Sequence, residues 1–368
     1  MNIFLLGATP SITAEFGEDP MSKLARTGGN TGNQVIARGL LDQIVYDNIS
    51  WDHGIDPLEV HERYDMIVVA AANFLFPNFD FGGMARYIER ADLPVAIVGL
   101  GAQSNNYDPN ISLMPGTERF VKVIAERAVS IGVRGPYTQE VLALRNIHNV
   151  TVTGCPSYYM AGSKGIALHP RSFEEIRNIS INASRDVIGH SFDKEKMRRL
   201  VLEIYHAGIK WNADFIAQSE KAEILLAEHP SDELAAESLK EIATFLKNVV
   251  LESDARNWAA KHVRVFFEVD RWMSAMSDRD FVFGNRFHGC MMALQCNVPA
   301  LVICHDTRTE DMCKFLDLPW VSIVDLDQID VGDLYNRIDV ERVNRRYQEL
   351  YPLYERFLEI NGLVLKSM

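Results

Sequence analysis

The sequence predicts an α/β protein with two doubly wound domains that face each other across a cleft, followed by a long C-terminal helix. Short apolar runs alternate with helical patterns, as they do when parallel strands are buried between helices. The alternation stops over a connector of low periodicity near residues 158–178 and then starts again. We therefore expect a first domain over residues 1–165, a second over 175–340, and a helix over 341–368 that packs across both.

In the first domain, compact apolar runs that end in loops predict the strands, and helical spacing predicts the helices. The predicted strands are Asn2–Leu6, Met66–Ala71, Val95–Leu100, Ala128–Val133 and Val150–Thr153. The predicted helices are Asn33–Val45, Phe120–Arg127 and Gly135–Leu144. The last of these opens at Pro136, and proline is favoured in a first helical turn.

In the second domain the same criteria give a second alternating series. The predicted strands are Ile179–Ala183, Asp214–Gln218, Val263–Phe267, Phe281–Phe283, Ala300–Ile303 and Val321–Ile323. The predicted helices are Lys194–His206, Ser231–Leu251, Arg271–Met276, Cys290–Gln295, Thr309–Leu316 and Val340–Ile360. Ligands of doubly wound sheets bind beyond the carboxyl ends of the strands, so the loops after Val98, Val133, Ala183 and Phe283 are expected to form the site.

Composition excludes several functional classes. A formal net charge of −13 over 368 residues argues against nucleic-acid binding, which normally needs a basic face. The N-terminal apolar run lacks a basic region and is too short for a signal peptide or a membrane span, so we expect a cytoplasmic protein. The five cysteines form no paired framework and are expected to be reduced thiols, most of them in the core. No spacing of a dedicated metal site and no G-x-S-x-G nucleophile elbow is present.

The segment from Phe281 to Gly289 is the strongest functional signal. Arg286 and His288 stand two positions apart, and in an extended or tight-turn segment such residues point to the same side. A fixed cation beside a group that titrates near neutral pH suits an anionic substrate that also needs a proton moved. Asn285, at the same strand end, joins them as a candidate binding residue.

A glycine-rich segment from Arg26 to Asn33 precedes a predicted helix. Its backbone N–H groups can surround an anion, which makes Asn30, Gly32 and Asn33 candidate ligand contacts. The alternative is a flexible loop with an asparagine cap.

Loops after two buried strands give further candidates. Gly99, Gly101 and Gln103 follow the Val95–Leu100 strand, and paired glycines there indicate a close approach of backbone to a helix or to a ligand. Asn73 holds a comparable place after Met66–Ala71.

Two charged or titratable residues stand at other strand ends. Arg134 lies at a predicted strand–helix junction that faces the expected cleft, which makes it a candidate binding residue. The alternative is an ordinary arginine on the protein surface. His305 follows the Ala300–Ile303 strand, and a loop histidine paired with Asp306 is an equal alternative.

Taken in order, these segments resemble the polysaccharide pyruvyl transferase family over nearly the whole chain. The matching segments are Asn30-Thr31-Gly32-Asn33, Val98-Gly99-Leu100-Gly101, Ile131-Gly132-Val133-Arg134-Gly135-Pro136, Gly154-Cys155-Pro156, Phe283-Gly284-Asn285-Arg286-Phe287-His288-Gly289 and Asn297-Val298-Pro299-Ala300. The R-F-H-G element and the strand–arginine–helix segment are the most specific of them.

The resemblance implies a GT-B-like fold and transfer of pyruvate from phosphoenolpyruvate to two hydroxyls of a sugar, giving a cyclic ketal. It implies donor binding and acid/base chemistry for Arg286 and His288, and donor binding for Arg134. The expected partner is a sugar or glycan precursor for a surface polysaccharide, with no cofactor besides the donor substrate. Peripheral association with membrane-bound glycan assembly is compatible with this role.

The sequence departs from the family pattern at two places in its first half. Asn33 stands where an acidic residue is expected, and Ala70-Ala71-Ala72-Asn73 replaces a frequent run of glycines. Two alternatives therefore stay open at the sequence level. One is a GT-B glycosyltransferase or sugar epimerase that uses a nucleotide sugar, and the other is a non-catalytic glycan-binding relative.

Overall fold

The computed structural model of the chain describes residues 1–12, 18–185, 189–229 and 232–366. Its core consists of two six-stranded sheets, and every strand pair in both is parallel. Helices connect the strands and cover the sheets, so the central strands are buried on both faces. The fold is α/β and GT-B-like, with two Rossmann-like domains facing a cleft, as the sequence predicts.

The first sheet has the strand order β2-β1-β3-β4-β5-β6. Its strands are β1 (Asn2–Gly7), β2 (Asn48–Ser50), β3 (Met66–Ala70), β4 (Val95–Leu100), β5 (Ile131–Val133) and β6 (Val150–Val152). The helices of this half are α1 (Pro20–Arg26), α2 (Gly32–Leu41), α3 (Pro57–Arg63), α4 (Gly82–Ala91), α5 (Pro115–Arg127) and α6 (Pro136–Ala143). The strand order reverses direction between β1 and β3, so the loops after these strands diverge and leave a crevice.

The second sheet begins after the connector, which contains the short 3₁₀ segments Pro156–Tyr159, Gly162–Lys164 and Phe173–Glu175. Its strands are β7 (Ile179–Asn182), β8 (Asp214–Ala217), β9 (Val263–Val265), β10 (Phe281–Gly284), β11 (Ala300–Cys304) and β12 (Trp320–Ser322). The order β12-β11-β10-β7-β8-β9 is the Rossmann arrangement, with its reversal between β7 and β10. The helices are α7 (Lys194–Lys210), α8 (Lys221–Glu228), α9 (Glu233–Leu246), α10 (Glu252–His262), α11 (Val269–Ser277), α12 (Phe287–Gln295), α13 (Thr307–Leu316), α14 (Val331–Asn336) and α15 (Val340–Ile360).

Helix α15 contacts both halves of the protein. Its Arg346 donates to the carbonyl of Phe315 in the second domain at 2.8 Å, and its Tyr354 stacks on Tyr159 with ring centroids 4.0 Å apart. Near its end, Phe357 is 1% exposed and packs against Gly132 of β5, where a Cβ would lie 2.5 Å from the ring. The chain then returns along the first domain.

Hydrogen bonds also join the domains on both sides of the cleft. The N–H of Thr31 donates to the carbonyl of Gln218 at 2.9 Å. The N–H of Ser104 donates to Thr307 Oγ1 at 3.0 Å. These contacts connect the two domains directly beside the crevice.

Several helix predictions differ from the structure. The helix predicted over Asn33–Val45 ends at Leu41, that over Phe120–Arg127 begins at Pro115, and that over Lys194–His206 continues to Lys210. The helix predicted over Ser231–Leu251 ends at Leu246, and a separate helix, α10, follows from Glu252; Ser231 itself lies outside the described residues. Leu251 continued the apolar period in sequence, but it is 71% exposed and extended, and the acidic Glu252 and Asp254 favour a new helix N-terminus after it. The helix predicted from Cys290 starts at Phe287, so His288 lies in its first turn.

Several short elements were not predicted from the sequence. They are β2, α1, α3, α4, α8, α10 and α14. All are short, and α1 and α3 are begun by aspartate caps followed by proline rather than by a long apolar period.

The cysteine prediction is confirmed, since all five are unpaired and Cys155, Cys290, Cys304 and Cys313 are buried. Among the helices of the described ranges, none is both long and apolar enough to cross a membrane.

Replacing Phe357 by alanine should lower the free energy of unfolding by about 3–5 kcal/mol, because a fully buried ring is lost between α15 and β5. Chemical denaturation followed by circular dichroism measures the change. Leu353→Ala on the same helix is the control, since Leu353 is 61% exposed and should change stability by less than about 0.5 kcal/mol. Equal effects of the two substitutions would contradict this packing.

Candidate active site

A cavity of about 560 Å³ lies between the two switch points and is lined by both domains. Nine residues predicted from the sequence line it: Asn30, Asn33, Asn73, Gln103, Arg134, Asn285, Arg286, His288 and His305. The expectation that ligands bind beyond the carboxyl ends of the strands therefore identified cavity residues in both domains.

Three predicted glycines stand behind the lining rather than in it. Gly99, at φ +79°, packs against Pro156, and its carbonyl accepts a hydrogen bond from Arg134. A Cβ on Gly101 would lie 3.1 Å from Arg134 Cδ, and one on Gly32 would lie 3.0 Å from His288 Nδ1. Their small size lets the backbone approach the lining side chains closely.

Arg134 is a buried cation that rests on backbone carbonyls. Its Nε donates to the carbonyl of Gly99 at 2.8 Å, and its Nη2 donates to the carbonyl of Ala71 at 3.2 Å. It is 3% exposed, and no described carboxylate lies within salt-bridge distance of it. Burial lowers the pKa of Arg134 from its usual value, helped by the charge of Arg308. The surface-arginine alternative is therefore wrong.

Arg286 precedes the first turn of α12 and forms an ion pair with Glu220. Its Nε donates to Glu220 Oε1 at 3.1 Å, and its Nη2 also contacts Ser219 and Glu220. Glu220 is completely buried and accepts the N–H of Gln218 at 2.8 Å. Burial alone would raise the pKa of Glu220, but the charge of Arg286 and these hydrogen bonds hold it below the usual range.

Sequence reasoning missed Glu220, although a signal for it exists. It comes three residues after β8, which lies beside β7 at the switch point, so an acidic residue there can reach the cleft.

His288 lies in the first turn of α12 and is 8% exposed. Its Nε2 is 3.5 Å from Cys155 Sγ. Burial, together with the charges of Arg134, Arg308 and Arg286, lowers the pKa of His288 well below its ordinary value. The surroundings within the protein thus favour the neutral form of His288, in contrast to the expectation of a ring that titrates near neutral pH.

Arg286 and His288 do not share one extended segment or tight turn, in contrast to the expectation from their spacing. His288 is helical and Arg286 is the extended residue before the helix, so they do not form a continuous extended segment. Both nevertheless line the cavity, because the start of α12 points into the cleft.

A chain of polar side chains crosses the cavity floor from one domain to the other. Asn73 Nδ2 donates to Gln103 Oε1, and Gln103 Nε2 donates to Asp306 Oδ2 at 2.8 Å. His305 lies next to this carboxylate, with Nε2 3.6 Å from Asp306 Oδ2. Burial, opposed by Asp306 and assisted by Arg308, lowers the pKa of His305 to about 4, so its ring is neutral.

The asparagines at the cavity edge hold loops in place. Asn285 Oδ1 accepts the N–H of Ser184 at 2.8 Å. Asn30 Oδ1 accepts the N–H of Gly32 at 2.8 Å, and Asn33 Nδ2 donates to the carbonyl of Thr27 at 2.9 Å. The glycine-rich loop thus has defined internal bonds and faces the cavity at the same time.

The first domain contributes an aromatic wall, formed by Phe74, Phe79 and Phe81. The rings of Phe74 and Phe81 stack with centroids 4.3 Å apart, and Phe79 meets Phe81 edge-on at 6.1 Å. Phe79 is 45% exposed. Phe74 follows Asn73 at the predicted strand end, whereas Phe79 and Phe81 were not predicted, although the dense aromatic segment after β3 was a signal for them.

Among the residues that the structure describes, no group of three or more His, Cys, Asp or Glu side chains is placed to hold a metal ion.

The sequence of the chain matches a known family of enzymes. The sequence model of the polysaccharide pyruvyl transferase family matches residues 30–307, well over half of the chain. The chain belongs to this family. It is therefore a transferase, and the matched range includes Arg134, Arg286 and His288.

Searches against other known proteins gave more distant matches. The S. aureus protein MnaA, solved with UDP, has a TM-score of 0.46 and 11% identity, covering 98% of this chain and 97% of that chain. Anabaena HepE, solved with UDP and glucose, has a TM-score of 0.45 and 11% identity, with the same coverage of 98% and 97%. The UDP-GlcNAc 2-epimerase of Methanocaldococcus jannaschii has a TM-score of 0.41 and 14% identity, covering 95% and 93%. No curated protein sequence matches the chain significantly.

His288 should give the NMR shifts of a neutral ring at pH 6, because its surroundings oppose protonation. Folding then favours the neutral form, so the contribution of His288 to stability is present above about pH 6.5 and is lost as the pH falls toward its folded-state pKa. Heteronuclear NMR of the imidazole measures this, with the urea-unfolded chain as reference. An equal titration midpoint of His288 in the folded protein and in the unfolded chain would contradict the lowered pKa.

Proposed function

We propose that this pyruvyl transferase moves pyruvate from phosphoenolpyruvate to two hydroxyls of a sugar in an exopolysaccharide or its precursor, forming a cyclic ketal. The observation that carries the proposal is the buried, carbonyl-held Arg134 beside the neutral His288, in a cavity shared by two domains. Family membership supplies the reaction class.

The charge of the cavity favours a small dianionic donor. Phosphoenolpyruvate carries a carboxylate and a phosphate, both of which form strong charge-assisted hydrogen bonds with arginine. Arg134 has no described carboxylate to satisfy it, so an anion offsets the cost of its burial. Arg286, paired with Glu220, adds a fixed positive charge from the opposite domain.

Because its ring is neutral, His288 can first accept a proton as a base and then donate a proton as an acid. One sugar hydroxyl adds to the central carbon of the donor while the methylene carbon gains a proton. The second hydroxyl then bonds to the same carbon as phosphate leaves with its bonding electrons. His288 accepts the proton of the first hydroxyl and delivers a proton to the methylene carbon, so protons balance over that step. The proton of the second hydroxyl leaves with phosphate.

Donor binding prepares His288 for this role. Its protonation is opposed by three arginine charges. The anionic groups of the donor counter these charges, so the pKa of His288 rises when the donor is bound. The proposed reaction uses side chains and the two substrates, without a further cofactor.

The acceptor is placed against the aromatic wall of the first domain. Ligand sites combine apolar surfaces with a few polar groups that orient the ligand. Here the exposed ring of Phe79 offers an apolar face, and Asn73 and Gln103 supply amides at its inner end. Hydrogen bonds from these amides to the hydroxyls of a sugar ring on this face provide its orientation in the proposal.

A phosphate-release screen with phosphoenolpyruvate and a panel of sugars and glycan precursors tests the function. Release that depends on both donor and acceptor, with a ketal found by mass spectrometry, is the expected result. Tight calorimetric binding of a nucleotide sugar with no response to phosphoenolpyruvate would instead favour a glycosyltransferase or epimerase. Glycan binding with no release from any pair would favour a non-catalytic protein.

His288→Ala should lower kcat for phosphate release by about 10²–10⁴-fold, the usual contribution of a positioned acid/base group. His148→Ala is the control, because His148 is exposed on the first domain. Steady-state rates of both variants, with circular dichroism to confirm folding, provide the measurement. Unchanged turnover in the His288 variant would remove this residue from the reaction.

Phe79→Ala should raise KM for the acceptor by about twofold to tenfold and leave KM for phosphoenolpyruvate unchanged, because only the aromatic face is lost. Phe79→Tyr keeps the ring and should behave like the unsubstituted enzyme. The acceptor that gives release in the screen is the probe. An equal rise in both KM values would place the acceptor elsewhere.

A further inference from the structure

A third arginine lines the cavity, and neither the sequence motifs nor the family match includes it. Arg308 is the second residue of α13, one position beyond the matched range. It faces the same space as Arg134, Arg286 and His288. Its charge acts on both Arg134 and His288, so the three cations and the imidazole share one electrostatic environment.

The partners of Arg286 and Arg308 differ in how fully they satisfy the guanidinium. Glu220 is bonded directly to Arg286 through both Nε and Nη2. Within the described part of the chain, Arg308 has only an ion pair, with Nη2 3.4 Å from Asp306 Oδ2. Arg286 is therefore already occupied by the protein, whereas Arg308 is only loosely held.

Asp306 is also committed to other donors. Its Oδ1 accepts the N–H and the hydroxyl of Thr309, each at 2.8 Å. Its Oδ2 accepts Gln103 Nε2 at 2.8 Å. The carboxylate thus completes the floor between the domains and has little capacity left for Arg308.

One atom of Arg308 has no partner at all among the described residues. Its Nε is buried, and the structure gives it no hydrogen-bond acceptor. A buried donor without an acceptor costs free energy, and such groups are rare in folded proteins. An acceptor supplied by a bound anion would satisfy it.

We propose that Arg308 and Arg134 are the two arginines that hold the anionic groups of the donor, while Glu220 keeps Arg286 as a fixed charge that does not bind the donor directly. This assignment rests on the proposed function, since it takes phosphoenolpyruvate as the donor. Arg134 holds the donor from the first domain and Arg308 from the second, so the donor joins the two domains.

Calorimetric titration with phosphoenolpyruvate tests the assignment. Arg308→Gln should weaken binding by at least about tenfold, because a charge-assisted hydrogen bond is lost. Arg308→Lys keeps the charge without the Nε–H fork and should weaken binding by a smaller factor. Arg345→Gln is the control: it removes the same charge from an exposed pair on α15 and should leave the affinity unchanged. Affinity of Arg308→Gln within twofold of the unsubstituted enzyme would overturn the proposal.

Thermal unfolding of the same variants separates a binding role from a structural one. A structural role through Asp306 would lower Tm in Arg308→Gln while the affinity for phosphoenolpyruvate stays the same, and that result also overturns the proposal.

An NMR experiment on the unsubstituted protein does not depend on how the variants fold. The Nε–H resonance of Arg308, identified by its loss in Arg308→Lys, should shift on addition of phosphoenolpyruvate or of inorganic phosphate. A resonance that moves with neither anion contradicts the assignment. A response to inorganic phosphate together with no binding of phosphoenolpyruvate would leave the anion site in place and reject the proposed donor, so the two failures are distinguishable.

Discussion

Buried positive charge is the constraint on which this cavity depends. The chain brings the buried Arg134 and the partly buried Arg286 and Arg308 around one histidine, and burial makes an uncompensated charge costly. Glu220 neutralises one of them by direct bonds, backbone carbonyls hold another, and the third has a carboxylate shared with other donors. The same three charges oppose protonation of His288, so the arginines and the imidazole form one electrostatic unit.

Topology explains how so many charges meet without an extended loop. Each sheet reverses its strand order once, and the loops that diverge there open toward the other domain. Strand ends therefore deliver side chains from both sides, and the first turn of α12 brings in His288. Close packing of Gly99 and Gly101 then lets carbonyls reach Arg134 from behind. The site residues are therefore positioned by the two sheets and by α12 as well as by loops.

The buried strands and the long amphipathic helix could be predicted, because they depend on local patterns in the sequence. Apolar runs located the buried strands, and the amphipathic period gave α15 with the bounds Val340–Ile360 that the structure shows. Features that depend on distant partners were not predictable. Arg286 is identified by its motif, but its pairing with Glu220 joins positions 66 residues apart. The neutral state of His288 depends on charges from two domains, and Arg308 has no motif around it. The helix prediction that ended at Leu251 was wrong although it was based on a local pattern, because the apolar side chain of Leu251 fits the helical period yet faces solvent.

The course of the chain after α15 has a consequence for folding during synthesis. The N–H of Lys366 donates to the carbonyl of Gln43 at 2.8 Å, and the N–H of Ser130 donates to Asn361 Oδ1 at 3.1 Å. The first domain is thus built from both ends of the described chain. The strands of the first domain leave the ribosome early, but the surface that packs against Phe357 stays uncovered until the second domain has been synthesised. The packing of the nascent first domain therefore stays incomplete until the last helix has been synthesised.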